Sequence, residues 1–264
     1  MPKASRGGTE TFWRVWGDPP PELLMIHCSL AHSGALTGLA LELGRPAVAF
    51  DMPGHGKSDP HDFETDLHSE VTQVAADFLS DPPMDVIGHS FGATVALRLA
   101  LEQPKAVRRL VLIEPILFAA IKGSPIYDQH VATFQPFVDA MMAGDAMYAA
   151  KLFTSMWGTG VEWEHMRADQ RETLASQILL IPEQNDLVFE DNAGLLTAGR
   201  LEEMQIPTLL VQGEQTAPIV GAVQAALAAR ISNADAITIE GVGHMAPITH
   251  PAKMAGVIKR FLSD

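Results

Sequence analysis

Apolar residues along this chain fall into two kinds of run. Short, nearly unbroken runs occur at 23–28 (LLMIHC), 47–51 (AVAFD), 84–89 (MDVIGH), 109–114 (RLVLIE), 208–212 (TLLVQ) and 236–240 (AITIE). Runs of this length, bounded by Pro, Gly or charged residues, predict buried strands. Between them the apolar spacing widens to the helical period. Leu67, Val71, Val74, Phe78 and Leu79 recur through 64–80, and 91–102 is rich in alanine and leucine. A last helix opens at Pro251 and carries Met254, Val257, Ile258, Phe261 and Leu262 on one face. Strand, helix and strand with short joints predict an α/β fold, a parallel sheet wrapped by helices.

The alternation lapses from 119 to 205. No strand pattern is visible there, and the segment is rich in Met, Ala and aromatic residues, among them Met141, Met142, Met147, Met156, Trp157, Trp163 and Met166. The expectation is a core built from 1–118 and 206–264, with a helical cap, or lid, at 119–205. A chain of 264 residues can bury a sizeable core in such an arrangement.

Charge and cysteine content narrow the function classes. With 18 Lys+Arg against 32 Asp+Glu, the net charge of −14 repels phosphate backbones and anionic membranes, so a nucleic-acid partner is disfavoured. The single cysteine, Cys28, excludes an internal disulfide and a cysteine zinc site. The ten histidines lack metal-ligand spacing, and neither metal nor cofactor is expected. No run reaches membrane-spanning length and no secretory leader is visible, which makes cytoplasmic the economical expectation. The expected partner is a small-molecule substrate. Without heptads, monomer and homodimer both stay open.

The sharpest chemical signal is Gly88-His89-Ser90-Phe91-Gly92, a G-x-S-x-G between a predicted strand and a predicted helix. A serine on that tight turn projects its hydroxyl outward, beside helix N–H groups that favour developing negative charge. His244, in the glycine-rich loop Gly241-Val242-Gly243-His244 after the last predicted strand, is the natural base for Ser90. Two other glycine patterns are decoys. Gly56-Lys57-Ser58 lacks the first glycine of a P-loop, since Asp51 stands there, and too little chain follows Gly241 for a dinucleotide site.

With Asp51-Met52-Pro53-Gly54-His55-Gly56-Lys57-Ser58 added, the chain resembles the α/β-hydrolase superfamily over nearly its whole length. The resemblance implies an eight-stranded, mostly parallel sheet with a lid inserted after the sixth strand, a structural Asp51, and a triad in the order serine, acid, histidine. The acid departs from the commoner pattern. Many relatives place aspartate in a G-x-x-D turn after the seventh strand, where this chain reads Gly213-Glu214-Gln215-Thr216. Some members, haloalkane dehalogenases among them, carry the acid after the sixth strand instead. Glu114, at the end of LVLIE and before Pro115, occupies that place; Glu214 is the alternative.

The oxyanion hole is expected from the backbone N–H groups of Phe91 and Ser29, with Leu30 an alternative second donor. Cys28 replaces the glycine usual in relatives and reads as an ordinary buried residue rather than a reactive thiol. Leu30, His89, Met156, Trp157 and Met245 are the expected substrate contacts, whereas His27, His32 and His55 suit packing or loop roles. Together these imply a serine hydrolase of small or medium, largely apolar carboxylic esters, acting through Ser90, His244 and Glu114. Carbon–carbon bond hydrolysis of a diketone-type substrate, or a hydrolase-fold ligand-binding protein with slow turnover, are the alternatives. A serine at the elbow argues against dehalogenase and epoxide hydrolase chemistry.

Overall fold

The structure, a computed structural model, describes residues 2–263. Eight strands form one sheet: β1 (Lys3–Arg6), β2 (Thr9–Trp16), β3 (Leu23–Ile26), β4 (Ala47–Phe50), β5 (Met84–His89), β6 (Val107–Ile113), β7 (Thr208–Gly213) and β8 (Ala234–Ile239). Their spatial order is β1-β2-β4-β3-β5-β6-β7-β8. β1 and β2 pair antiparallel, as do β2 and β4, and every later pairing is parallel. The chain leaves β3 to one side for β4 and crosses to the other for β5. Such a switch opens a crevice at the carboxyl ends of the central strands.

Side-chain alternation along the strands divides the core between the two sheet faces. Leu24, Ile26, Val86, Leu110, Leu112 and Leu210 belong to one cluster, and Leu23, Met25, Ile87, Val111 and Val211 to the other. Helices α1 (Thr37–Leu43) and α10 (Pro251–Ser263) cover the second face; α2 (Leu67–Ala76), α3 (Phe91–Glu102) and α8 (Pro218–Ala228) contribute to the first. Because both faces are covered, the central strands read as unbroken apolar runs.

The structure adds elements that the apolar pattern does not signal. β1 and β2 form a hairpin at the sheet edge; β1 is largely exposed and only Thr11 and Phe12 of β2 are buried. β8 starts two residues before the predicted run, at the opposite edge, with one fully buried residue, Ile239. The helix predicted over 64–80 shortens to α2 because the Asp66 side chain caps it, accepting the Ser69 amide at 2.7 Å.

Between β6 and β7 the chain is helical, with no strand among the described residues. Helices α4 (Pro125–Met142), α5 (Ala146–Trp157), α6 (Ala168–Gln177) and α7 (Asn185–Val188) lie there. A small core of Phe137, Ala140, Ala149, Ala150, Ile178 and Ile181 holds them together. Two short helices, α7 and α9 (Ala246–Thr249), border the crevice. Among the described residues no helix is long and apolar enough to cross a membrane.

Candidate active site

Three strand ends deliver the candidate groups to one place. β5 stops at His89, and the chain turns into α3 at Ser90, whose φ of 58° and ψ of −117° are unusual for a side-chain-bearing residue. The turn is possible because its flanking glycines have no room for a Cβ. One at Gly88 would lie 2.2 Å from the Gly92 carbonyl oxygen, and one at Gly92 would lie 2.4 Å from that of His27. The Ser90 amide donates to the Ile113 carbonyl at 2.8 Å, which fixes the elbow against β6.

β6 ends where Glu114, also at positive φ (49°), turns its carboxylate back into the sheet. That group is 1% exposed and fully partnered. Oε1 accepts the Gly213 amide at 2.7 Å; Oε2 accepts the Thr216 hydroxyl at 2.7 Å and faces His244 Nδ1 at 2.6 Å. Burial by itself raises the carboxyl pKa. The hydrogen bond and charge of His244, with the Gly213 and Thr216 donors, outweigh it and hold Glu114 below its ordinary range. An ionised carboxylate only accepts, so Nδ1 of His244 carries the ring proton. Nε2 is left to accept from the Ser90 hydroxyl, 3.1 Å away.

His244 is itself held from both sides. His89 Nε2–H donates to the His244 carbonyl at 2.9 Å, and the Trp157 ring meets the imidazole edge-on at 4.9 Å. Glu214 lies apart from the imidazole: its exposed carboxylate accepts the Gly241 amide at 3.0 Å and ties down the start of the same loop. Thr216, standing where many relatives carry their acid, donates its hydroxyl to Glu114.

The loop after β3 completes the constellation. Leu30, at φ 59°, donates its amide to His55 Nε2 at 3.1 Å, so that amide is already engaged. Among the described residues the amides of Ser29 and Phe91 have no acceptor. The bracing histidines were not legible as such in the sequence. His27 Nδ1–H bonds the Cys28 carbonyl at 2.7 Å while Nε2 accepts the Met52 amide at 3.0 Å; His55 Nδ1–H bonds the Pro53 carbonyl at 2.9 Å. Burial pushes their pKa values down, to about 3 and about 4, so each stays neutral and keeps an accepting nitrogen. Asp51 is structural in the same way, taking the amides of Ser33 and Lys57. Cys28 is buried, and desolvation pushes its thiol up to about 12.

Ser90 and His244 open into a cavity of about 730 Å³ roofed by the helices between β6 and β7. Leu30, Trp157 and Met245 border it; His89 and Met156 do not, the first turned to the His244 carbonyl and the second packed on the core. The wall is aromatic more than methionine-rich, with Phe118, Phe134, Phe153, Trp157 and Phe189 lining it. Of the methionines in 119–205, Met166 lines the cavity, while Met142 and Met147 point outward. Arg167, the one Lys or Arg bordering the cavity among the described residues, is bound by both guanidinium contacts to Asp169 at 2.9 and 2.8 Å.

Comparison with known proteins agrees with this architecture. Pimeloyl-[acyl-carrier protein] methyl ester esterase of Xanthomonas campestris pv. campestris is 28% identical over 92% of this chain and 95% of its own. Lipase LipV of Mycobacterium tuberculosis is 36% identical over 47% of this chain, and the match spans less than half of that lipase, 44%. The enol-lactonase of Burkholderia xenovorans LB400 superimposes with a TM-score of 0.74 at 20% identity over the full length of both chains. The profile of the alpha/beta hydrolase family matches residues 23–257. With that match and an eight-stranded sheet carrying a serine elbow, the chain belongs to the alpha/beta hydrolase family.

Proposed function

We propose that this chain hydrolyses carboxylic esters with small or medium, largely apolar groups, through a Ser90–His244–Glu114 triad. The observation that carries the reading is the continuous chain of contacts from Glu114 through the imidazole to the Ser90 hydroxyl, opening into an apolar cavity. Ser90 Oγ attacks the ester carbonyl as His244 Nε2 takes its proton, and Glu114 stabilises the imidazolium. The free amides of Phe91 and Ser29 receive the oxyanion. His244 returns the proton to the leaving alcohol, then deprotonates the water that cleaves the acyl-enzyme. The esterase and lipase relatives support the reaction class.

In this reading 119–205 acts as a cap over the core of 1–118 and 206–264. The cap carries 13 Asp and Glu against 5 Lys and Arg. Arg167, the one Lys or Arg bordering the cavity among the described residues, is already paired, so neutral free esters fit better than anionic ones or substrates borne on an anionic protein. A chain-length series of p-nitrophenyl esters, with Ser90→Ala as control, tests the proposal. Hydrolysis of acetate to octanoate esters that is lost in the control supports it, and background rates throughout sink it.

A further inference from the structure

Seven histidines are buried in this chain, and six of them make at least one hydrogen bond. His130 of α4 is the exception: among the described residues neither of its ring nitrogens has a hydrogen-bond partner. Its surroundings are rings. Phe118 lies edge-on at 4.7 Å, Phe134 stacks at 5.7 Å, and Trp157 stands perpendicular at 5.8 Å. The imidazole borders the same cavity as Ser90, together with Phe153 and Phe189. Trp157 touches His130 on one side and His244 on the other, so one ring separates this wall from the triad.

A polar ring set among aromatic side chains is poorly served by the protein alone: neither nitrogen has a protein partner among the described residues, and the ring meets the cavity, where a ligand must supply the hydrogen bonds that water otherwise gives. Desolvation holds its pKa down at about 4, so at neutral pH the ring is uncharged and offers one N–H and one bare nitrogen. A ligand that satisfies it must fill an aromatic wall and present a hydrogen-bonding group to it. With Arg167 occupied by Asp169, no free Lys or Arg among the described residues awaits a carboxylate there.

The geometry points to His130 as a specificity-determining residue that selects esters carrying an aromatic ring with a neutral hydrogen-bonding substituent, such as a phenolic hydroxyl. This deepens the ester-hydrolase reading and rests on it. Sites built to hydrogen-bond a substrate hydroxyl discriminate against the analogue lacking it, because the buried partner is left unpaired.

The test uses matched pairs of esters, with and without a ring hydroxyl. Methyl phenylacetate and methyl hydroxyphenylacetates place the ring on the acyl side; phenyl acetate and hydroxyphenyl acetates place it on the alcohol side. The expected result is a preference of about tenfold in kcat/KM for the hydroxylated partner in one series, carried mostly by KM. His130→Phe, which keeps a ring in the wall, brings that ratio to near one, and His130→Gln restores part of it. Equal rates within both pairs from an enzyme that hydrolyses butyrate esters overturn the assignment, as does a preference that survives in His130→Phe.

A second readout does not need turnover. Phenylacetamide and 4-hydroxyphenylacetamide are titrated against Ser90→Ala with intrinsic tryptophan fluorescence as the signal, Trp157 being the tryptophan that lines the cavity. Tighter binding of the hydroxylated amide, lost in Ser90→Ala/His130→Phe, supports recognition of the ring hydroxyl by His130 separately from ester turnover, and equal affinities overturn it.

Discussion

Replacing Glu114 by glutamine tests the least conventional member of the proposed triad. The carboxylate accepts three hydrogen bonds, from Gly213 N–H, the Thr216 hydroxyl and His244 Nδ1–H. In Glu114→Gln the amide oxygen must stay on Gly213, whose N–H can only donate. The amide NH₂ then occupies the place of Oε2, facing Thr216 and His244. The threonine hydroxyl can turn and accept, but the imidazole can accept only by moving its proton to Nε2. That nitrogen, 3.1 Å from Ser90 Oγ, can then no longer take the serine proton. Loss of the correct tautomer with preserved geometry costs about 10³–10⁴ in kcat in a serine triad, or about 4–5.5 kcal/mol of transition-state stabilisation. The assay is p-nitrophenyl butyrate turnover corrected by active-site titration, beside circular dichroism and thermal melts to show an intact fold. A kcat within tenfold of the parent, from a protein with unchanged melting temperature, refutes the assignment of Glu114.

Thr216→Val removes one donor to the buried carboxylate, and kcat is expected to fall about tenfold, measured in the same assay. Transferring the acid, as Glu114→Gln/Thr216→Asp, recovers at least tenfold of the activity lost in Glu114→Gln, because Thr216 Oγ1 already lies 2.7 Å from the carboxylate that meets His244. Gly92→Ala drives a Cβ onto the carbonyl oxygens of Ile26 and His27, 2.5 and 2.4 Å away. Its overpacking costs about 3 kcal/mol, read as a fall in melting temperature of roughly 6–12 °C. His27, His55, His68, His89 and His130 are held neutral by burial, with pKa values of about 3, 4, 3, 3 and 4. Below the unfolded histidine pKa of about 6.5 the unfolded chain binds protons that the folded one does not, so stability falls with pH. The slope reaches up to about 1.4 kcal/mol per pH unit for each such histidine between pH 6.5 and the folded values. Urea midpoints from pH 8 to 4.5 should be flat above pH 7 and drop steeply below pH 6; a flat profile throughout contradicts neutral burial.

How much of this was legible in the sequence depended on whether a signal was local. β3 to β7 showed as apolar runs because both sheet faces are covered there, and β8 showed through its Ile237 and Ile239 although it is an edge strand, whereas the β1–β2 hairpin alternates weakly at an exposed edge and left no such trace. Ser90 and His244 stand in glycine-rich turns, where Gly88 and Gly92 leave no room for a Cβ and Gly241 takes a positive φ of 67°. Glu114 was visible as an ionisable residue inside an apolar run, a placement that demands a partner. The bracing of the β3 loop was not visible, because His27 meets Met52 and His55 meets Leu30 only after β3 and β4 pair. The composition of 119–205 announced apolar helices but not their orientation, so of the two contacts expected from that segment Trp157 reaches the cavity and Met156 does not, and the share of Phe134, Phe153 and Phe189 in its wall was not visible.

The central claim, that Ser90 is a nucleophile activated by His244, is tested most directly by labelling with a fluorophosphonate and locating the adduct by mass spectrometry. The predicted result is one adduct on the peptide containing Ser90, lost in Ser90→Ala and strongly slowed in His244→Ala. A folded protein that takes up no label, or carries it on another residue, contradicts the triad.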